Sequence, residues 1–132
     1  MGIDSCIPLE DAIDRVIRAL RKMRIGIVPD EYAIQEMIEE LLSEHEIPFV
    51  KEYRLAPRNR IDFMTEGGIG IEVKRGKPNR TMVMKQLMRY ASFDEVKAVI
   101  LVVDKNVTIP DTVMGKRCML FGLNRLWGVA LR

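Results

Sequence analysis

The run KAVILVV at 97–103 holds six consecutive apolar residues after its lysine. Side chains along a strand alternate between faces, so such a strand is apolar on both sides and needs cover on both. The rest of the chain must therefore supply neighbouring strands and helices to lie over them.

Three segments carry helical patterning. In 8–24, PLEDAIDRVIRALRKMR, the apolar residues Ile13, Val16, Ile17, Leu20 and Met23 recur at steps of three and four. Its acids crowd the start and its bases the end, which suits the helix dipole. Asp30 is placed to cap a second helix over 31–45, and RTMVMKQLMRYAS at 80–92 forms a third. Segments 47–56, 60–66 and 69–75 read as strands, with Gly67-Gly68 as the turn between the last two. After 103 comes a turn-rich stretch, then CMLFGL and WGVAL as arms of a terminal hairpin around Asn124-Arg125. The order α-α-β-β-β-α-β-(β-β) predicts a mixed sheet with helices packed on it, an α/β or α+β core.

At 132 residues, 48% hydrophobic and 30% charged, the chain is expected to form one soluble domain. No apolar run approaches the ~20 residues of a membrane span. The acidic N-terminus lacks a signal-peptide core, so the expected location is cytoplasmic. Cys6, Cys118 and a single histidine, His45, do not make a familiar zinc spacing. A net charge of +2 permits an anionic partner without announcing one.

The chemistry concentrates in the strands at 60–66 and 69–75. Ile69, Ile71 and Val73 share one face; Gly70, Glu72 and Lys74 share the other. By the same alternation Ile61 and Phe63 point one way, while Arg60, Asp62 and Met64 point the other. In a hairpin, Asp62 then lies near Glu72. Neighbouring buried carboxylates are costly unless a cation sits between them, and oxygen ligands suit Mg²⁺ or Mn²⁺. On the second helix Ile34, Ile38, Leu41 and Leu42 mark the inward stripe, and Glu31 falls about 20° from Ile38, on the apolar side. Glu31 is either a third ligand or an acid favoured by the helix dipole. Gln86 and Tyr90, four residues apart, share a face of the third helix. Gln86 can orient water or touch phosphate; Tyr90 can stack or hydrogen-bond. Lys74 can also be no more than an ion-pair partner of Glu72, since residues two apart in a strand lie ~7 Å apart.

Asp62, then Glu72-Val73-Lys74 ten residues on, then Gln86-Leu-Met-Arg-Tyr90, with Glu31 in an upstream Glu-x-x-Ile-Gln helix, resembles the PD-(D/E)XK nuclease superfamily. The Gln-x-x-x-Tyr element is similar to RecB-type domains. The Glu31 helix is similar to virus-type replication-repair nucleases, and the compact size to Holliday-junction resolvases. Ile61 stands where the superfamily's proline is usual. The resemblance covers about 31–103 and implies a restriction-endonuclease-like αβββαβ core with an extra N-terminal helix and a C-terminal hairpin. It implies Mg²⁺, with Mn²⁺ able to substitute, held by Asp62, Glu72, the Val73 carbonyl and Glu31. Lys74 would position or deprotonate the attacking water, with Gln86 and Tyr90 beside it.

Arg58, Arg60, Arg75, Lys77, Arg80, Lys85 and Arg89 flank this site and are the expected DNA contacts. No helix-turn-helix or finger motif points to base readout. The expectation is thus a Mg²⁺-dependent deoxyribonuclease directed by DNA structure or ends, acting as a homodimer or larger homo-oligomer through the first helix or the terminal hairpin. The alternative is a non-catalytic nucleic-acid-binding or assembly module on the same fold. Trp127 and Phe121, and Met82, Met84 and Met88, read as core, the methionines also as an oligomer face.

Overall fold

The structure, a computed structural model, describes residues 7–23, 30–105 and 107–123. Its elements are α1 (Leu9–Leu20), α2 (Glu31–Glu44), β1 (Phe49–Ala56), β2 (Asn59–Thr65), β3 (Ile69–Lys74), α3 (Arg80–Ala91), β4 (Ala98–Val103), β5 (Thr112–Val113) and β6 (Lys116–Gly122). The apolar run becomes β4, and all of its residues are buried. It lies between β3 and β6 in a six-stranded sheet ordered β1-β2-β3-β4-β6-β5. Pairing is parallel for β3/β4 and β4/β6 and antiparallel elsewhere, so the sheet is mixed and the chain is an α/β structure.

β4 has cover on both faces, as its composition requires. Ile100 and Val102 join Ile69, Ile71 and Phe63 against α1 and α2. Val99, Leu101 and Val103 join Met64 against Val83, Leu87 and Tyr90 of α3. Each fully buried aliphatic side chain contributes roughly 1.5–3 kcal/mol, which is what holds these layers together. Two helices start on side-chain caps: Asp30 accepts from Ala33 N at 2.8 Å and Asn79 from Met82 N at 3.0 Å. Each cap satisfies a backbone donor that the first helical turn leaves free.

The β2–β3 turn depends on glycine. Gly68 has φ +84°, and a Cβ there would lie 2.7 Å from the Glu95 carbonyl oxygen. A short hairpin that the sequence reading did not name precedes the expected one. Its turn is Met114-Gly115, with φ +52° and +80°, joining two-residue β5 to β6. The pair of positive φ values matches the primed turns that hairpins favour. CMLFG falls in β6 and continues the sheet beside β4, with Leu123 just past it; Asn124-Arg125 and WGVAL, with Trp127, lie outside the described residues. Among the described residues, no helix is long and apolar enough to cross a membrane.

The α3 methionines divide. Met84 packs partly into the interior, but Met82 and Met88 are exposed. Phe121 is partly buried against the α1/α2 side, and His45 closes α2 with Nδ1 against the Leu41 carbonyl oxygen at 2.9 Å.

Candidate active site

The β2–β3 ladder runs Thr65↔Ile69, Met64↔Gly70, Phe63↔Ile71 and then stops. The β1–β2 ladder also skips Asp62, passing from Lys51↔Phe63 to Tyr53↔Ile61, with Glu52 at φ +53°. Asp62 is thus a local break in the pairing on both sides. One consequence corrects the sequence reading of β2. Phe63 packs on the α1/α2 face, but Ile61 packs with Met64 on the α3 face, so the two do not point the same way. Ile61 crosses over Gly70, where its Cδ1 occupies the space a Cβ would need.

The two acids take over the lost backbone pairing. Asp62 Oδ2 accepts from Val73 N at 2.8 Å, and Asp62 N donates to Glu72 Oε1 at 3.2 Å. The N–H and C=O of one strand residue point to the same edge, so the Val73 carbonyl also faces the gap where β2 has parted from β3. Among the described residues, Asp62 Oδ1 accepts no hydrogen bond.

Glu72, 6% exposed, gathers further donors. Gln86 Nε2 lies 3.3 Å and Lys74 Nζ 3.6 Å from Oε2. The Tyr90 hydroxyl lies 3.1 Å from Oε1 and 3.0 Å from the Arg60 carbonyl oxygen, and accepts from Gln86 Nε2 at 2.9 Å. A phenol has one proton, so Tyr90 shares it between two acceptors. The structure therefore brings Asp62, Glu72, Val73, Lys74, Gln86 and Tyr90 together.

Glu31 is not gathered with them. It is the first residue of α2 and is exposed; the buried stripe begins one turn later, at Ile34. Its charge still reaches Asp62 and favours the protonated form there. Among the described residues, no three His, Cys, Asp or Glu side chains form a group that could hold an ion. Asp62 and Glu72 are thus the pair in direct contact, with exposed Glu31 near enough for its charge to act on Asp62.

Burial is the main electrostatic fact of the pair. It pushes the Glu72 carboxyl up to about 7, aided by the neighbouring Asp62 charge and opposed by Lys74. Burial also raises Asp62, opposed first by the Val73 N–H. Burial and the Glu72 carboxylate raise the Tyr90 phenol above its ordinary value. Two acids that resist ionisation side by side are the environment a hard cation relieves. The donors suit Mg²⁺ or Mn²⁺: all oxygen, with two carboxylates and a carbonyl, a set Mg²⁺ commonly completes with water and substrate phosphate. On that chemistry the residues present fit the ion.

The basic residues divide. Arg75, Lys85 and Arg89 line one cavity of about 300 Å³ together with Lys74 and Gln86. Arg58, Arg60, Lys77 and Arg80 do not line it. Arg58 sits in the β1–β2 turn at φ +67°, Arg60 lies 3.9 Å from Glu52, Lys77 is exposed, and Arg80 Nε donates to the Thr108 carbonyl oxygen at 2.9 Å.

Sequence reasoning missed two anchoring residues. Asp104, buried one position past β4, accepts from Arg75 Nε at 3.1 Å and Gly76 N at 2.9 Å. Asn59 Oδ1 accepts from Arg89 Nε at 3.1 Å. Asp104 had a readable signal, an acid closing an apolar strand at the carboxyl end of a parallel pair, where α/β sheets place ligands. Asn59 had none.

The chain matches no protein-family model, and no curated protein or solved structure is significantly similar to it.

Proposed function

We propose that this protein is a divalent-metal-dependent deoxyribonuclease of the PD-(D/E)XK kind, hydrolysing phosphodiester bonds at Asp62, Glu72 and Lys74. One observation carries the reading. β2 and β3 part at Asp62, and a buried carboxylate, a half-buried one, the Val73 backbone and an amine converge in the gap. A purely structural ion pair between Glu72 and Lys74 accounts for neither the parted strands nor the second acid.

Asp62 and Glu72, with the Val73 carbonyl, would hold the ion, which when bound supplies a Lewis acid and an acidified water. Lys74, partly exposed beside Glu72, would position the attacking water and a phosphate oxygen. Its ammonium offsets the charge that builds on the phosphorus oxygens. Gln86 and Tyr90 hold the Glu72 carboxylate in place.

The test is a panel of single-stranded, blunt duplex, flap and four-way DNA incubated with Mg²⁺ or Mn²⁺. The expected result is cleavage of at least one substrate, abolished by EDTA and by Asp62→Ala, Glu72→Ala or Lys74→Ala. A panel left intact with both metals overturns the reading. One observation favours the non-catalytic alternative: Glu72 already has protein donors on both oxygens. That alternative expects salt-sensitive DNA binding unchanged by all three substitutions.

A further inference from the structure

The cavity beside the acids has two chemistries in one small space. Its rim is cationic: Arg75, Lys85 and Arg89. Its remaining wall includes Pro78 and Met82, and Met82 is 68% exposed. Met82 thus presents its thioether to water at the cavity wall, and flexible Met suits irregular apolar ligands.

The rim is built rather than incidental. Arg75 is tethered through Nε to buried Asp104, and Arg89 through Nε to Asn59. Both tethers leave the terminal guanidinium nitrogens without a hydrogen bond among the described residues. Fixed forks of this kind match phosphate oxygens. The cavity adjoins the acids through its wall: Lys74 and Gln86 line it and also contact Glu72.

Phosphate contacts alone explain the cations but not Met82 and Pro78. An apolar wall beside phosphate forks fits a nucleobase face. In an intact duplex those faces are covered by stacking, and a base must leave the stack to present one. A cavity of about 300 Å³ is at the small end of ligand sites, a size for one nucleotide and not for a double helix.

We propose that this cavity seats one unpaired DNA nucleotide next to the scissile phosphate, its phosphate on Arg75, Lys85 and Arg89 and its base against Met82 and Pro78. The substrate class is then DNA with a single-stranded end or flap. This inference rests on the nuclease reading for the word "scissile", but its binding half is tested separately.

The experiment measures fluorescence anisotropy of the full chain in EDTA, so that nothing is cut. The probes are a short oligothymidylate, a blunt hairpin duplex, and the same duplex with an unpaired tail. Unpaired probes are expected to bind about tenfold more tightly than the blunt duplex, within the range of one base stacked on protein. Met82→Ala is expected to weaken the unpaired probes about fivefold, leaving the blunt duplex unchanged; Met82→Phe is expected to tighten them. Met82 is exposed, so both variants keep the fold, checked by their melting temperatures. Abasic substitution along the tail is expected to weaken binding sharply at one position only. Equal affinity for blunt and tailed duplex, or Met82 variants without effect on any probe, overturns the seat. The two readings separate cleanly. Preference for unpaired strands with no cleavage in Mg²⁺ or Mn²⁺ keeps the seat and removes the nuclease. Cleavage of blunt duplex without that preference does the reverse.

Discussion

The two ends of the β2–β3 hairpin are built on opposite plans. At the turn end, Phe63, Met64 and Thr65 pair in register with Ile71, Gly70 and Ile69, and Thr65 is buried with its hydroxyl on the Ile69 carbonyl oxygen at 3.0 Å. At the other end the ladder is absent and side-chain carboxylates receive the backbone N–H groups. The turn end satisfies its polar groups with neutral backbone. The open end does so with acids whose burial costs enough to hold Glu72 protonated up to about 7. A fold that only needed closing had the cheaper plan at hand a few residues away. On the proposed function, the open end is where the fold gives up stability for chemistry.

The largest expected effect breaks the open end. Glu72→Gln keeps the shape but removes the charge, so cleavage should fall by about a thousandfold or more, roughly 4 kcal/mol in the barrier. Rate measurements on the best substrate check this, with a melting temperature in EDTA showing that the fold persists. At the turn end the same comparison predicts the reverse pattern. Gly68→Ala meets both a positive φ and the Glu95 carbonyl, so it should cost about 2–3 kcal/mol of stability by chemical denaturation. The rate per folded molecule should be unchanged.

A pH series sharpens the contrast without any metal. The folded state holds the Glu72 proton up to about 7, whereas an ordinary glutamate releases it near 4.5. Below both values the two states are protonated alike. Between them only the folded state keeps the proton, so this contribution to stability is lost as pH rises from about 4.5 to about 7. The decline should be on the order of 3 kcal/mol in the wild type and should flatten in Glu72→Gln. Thermal melts in EDTA across that window read it directly. The smallest effect is expected from Tyr90→Phe, which leaves the Arg60 carbonyl short of a donor and should cost about 1 kcal/mol.

The layered fold was legible because β4 is apolar at every position, which forces cover on both faces, and because Asp30 caps α2 where the pattern begins. The meeting of Asp62 with Glu72, and of Gln86 with Tyr90, followed from strand and helix periods alone. Three things did not follow. The break at Asp62 reverses Ile61 relative to Phe63, and a fixed period of two has no way to express a break. Glu31 shares an angular sector with Ile38, yet angle ignores position along the axis, and at the first residue of α2 the sector opens to solvent. The clasp of Asp104 on Arg75 and Gly76 joins residues far apart in sequence and exists only because β3 and β4 lie parallel in register.

The central claim is that Asp62 and Glu72 bind a divalent ion, and calorimetric titration of Mn²⁺ into the metal-free protein above pH 7 tests it most directly. The account predicts saturable binding that is lost in both Asp62→Asn and Glu72→Gln while each variant remains folded. No binding to the wild type, or binding that both variants retain, would contradict it.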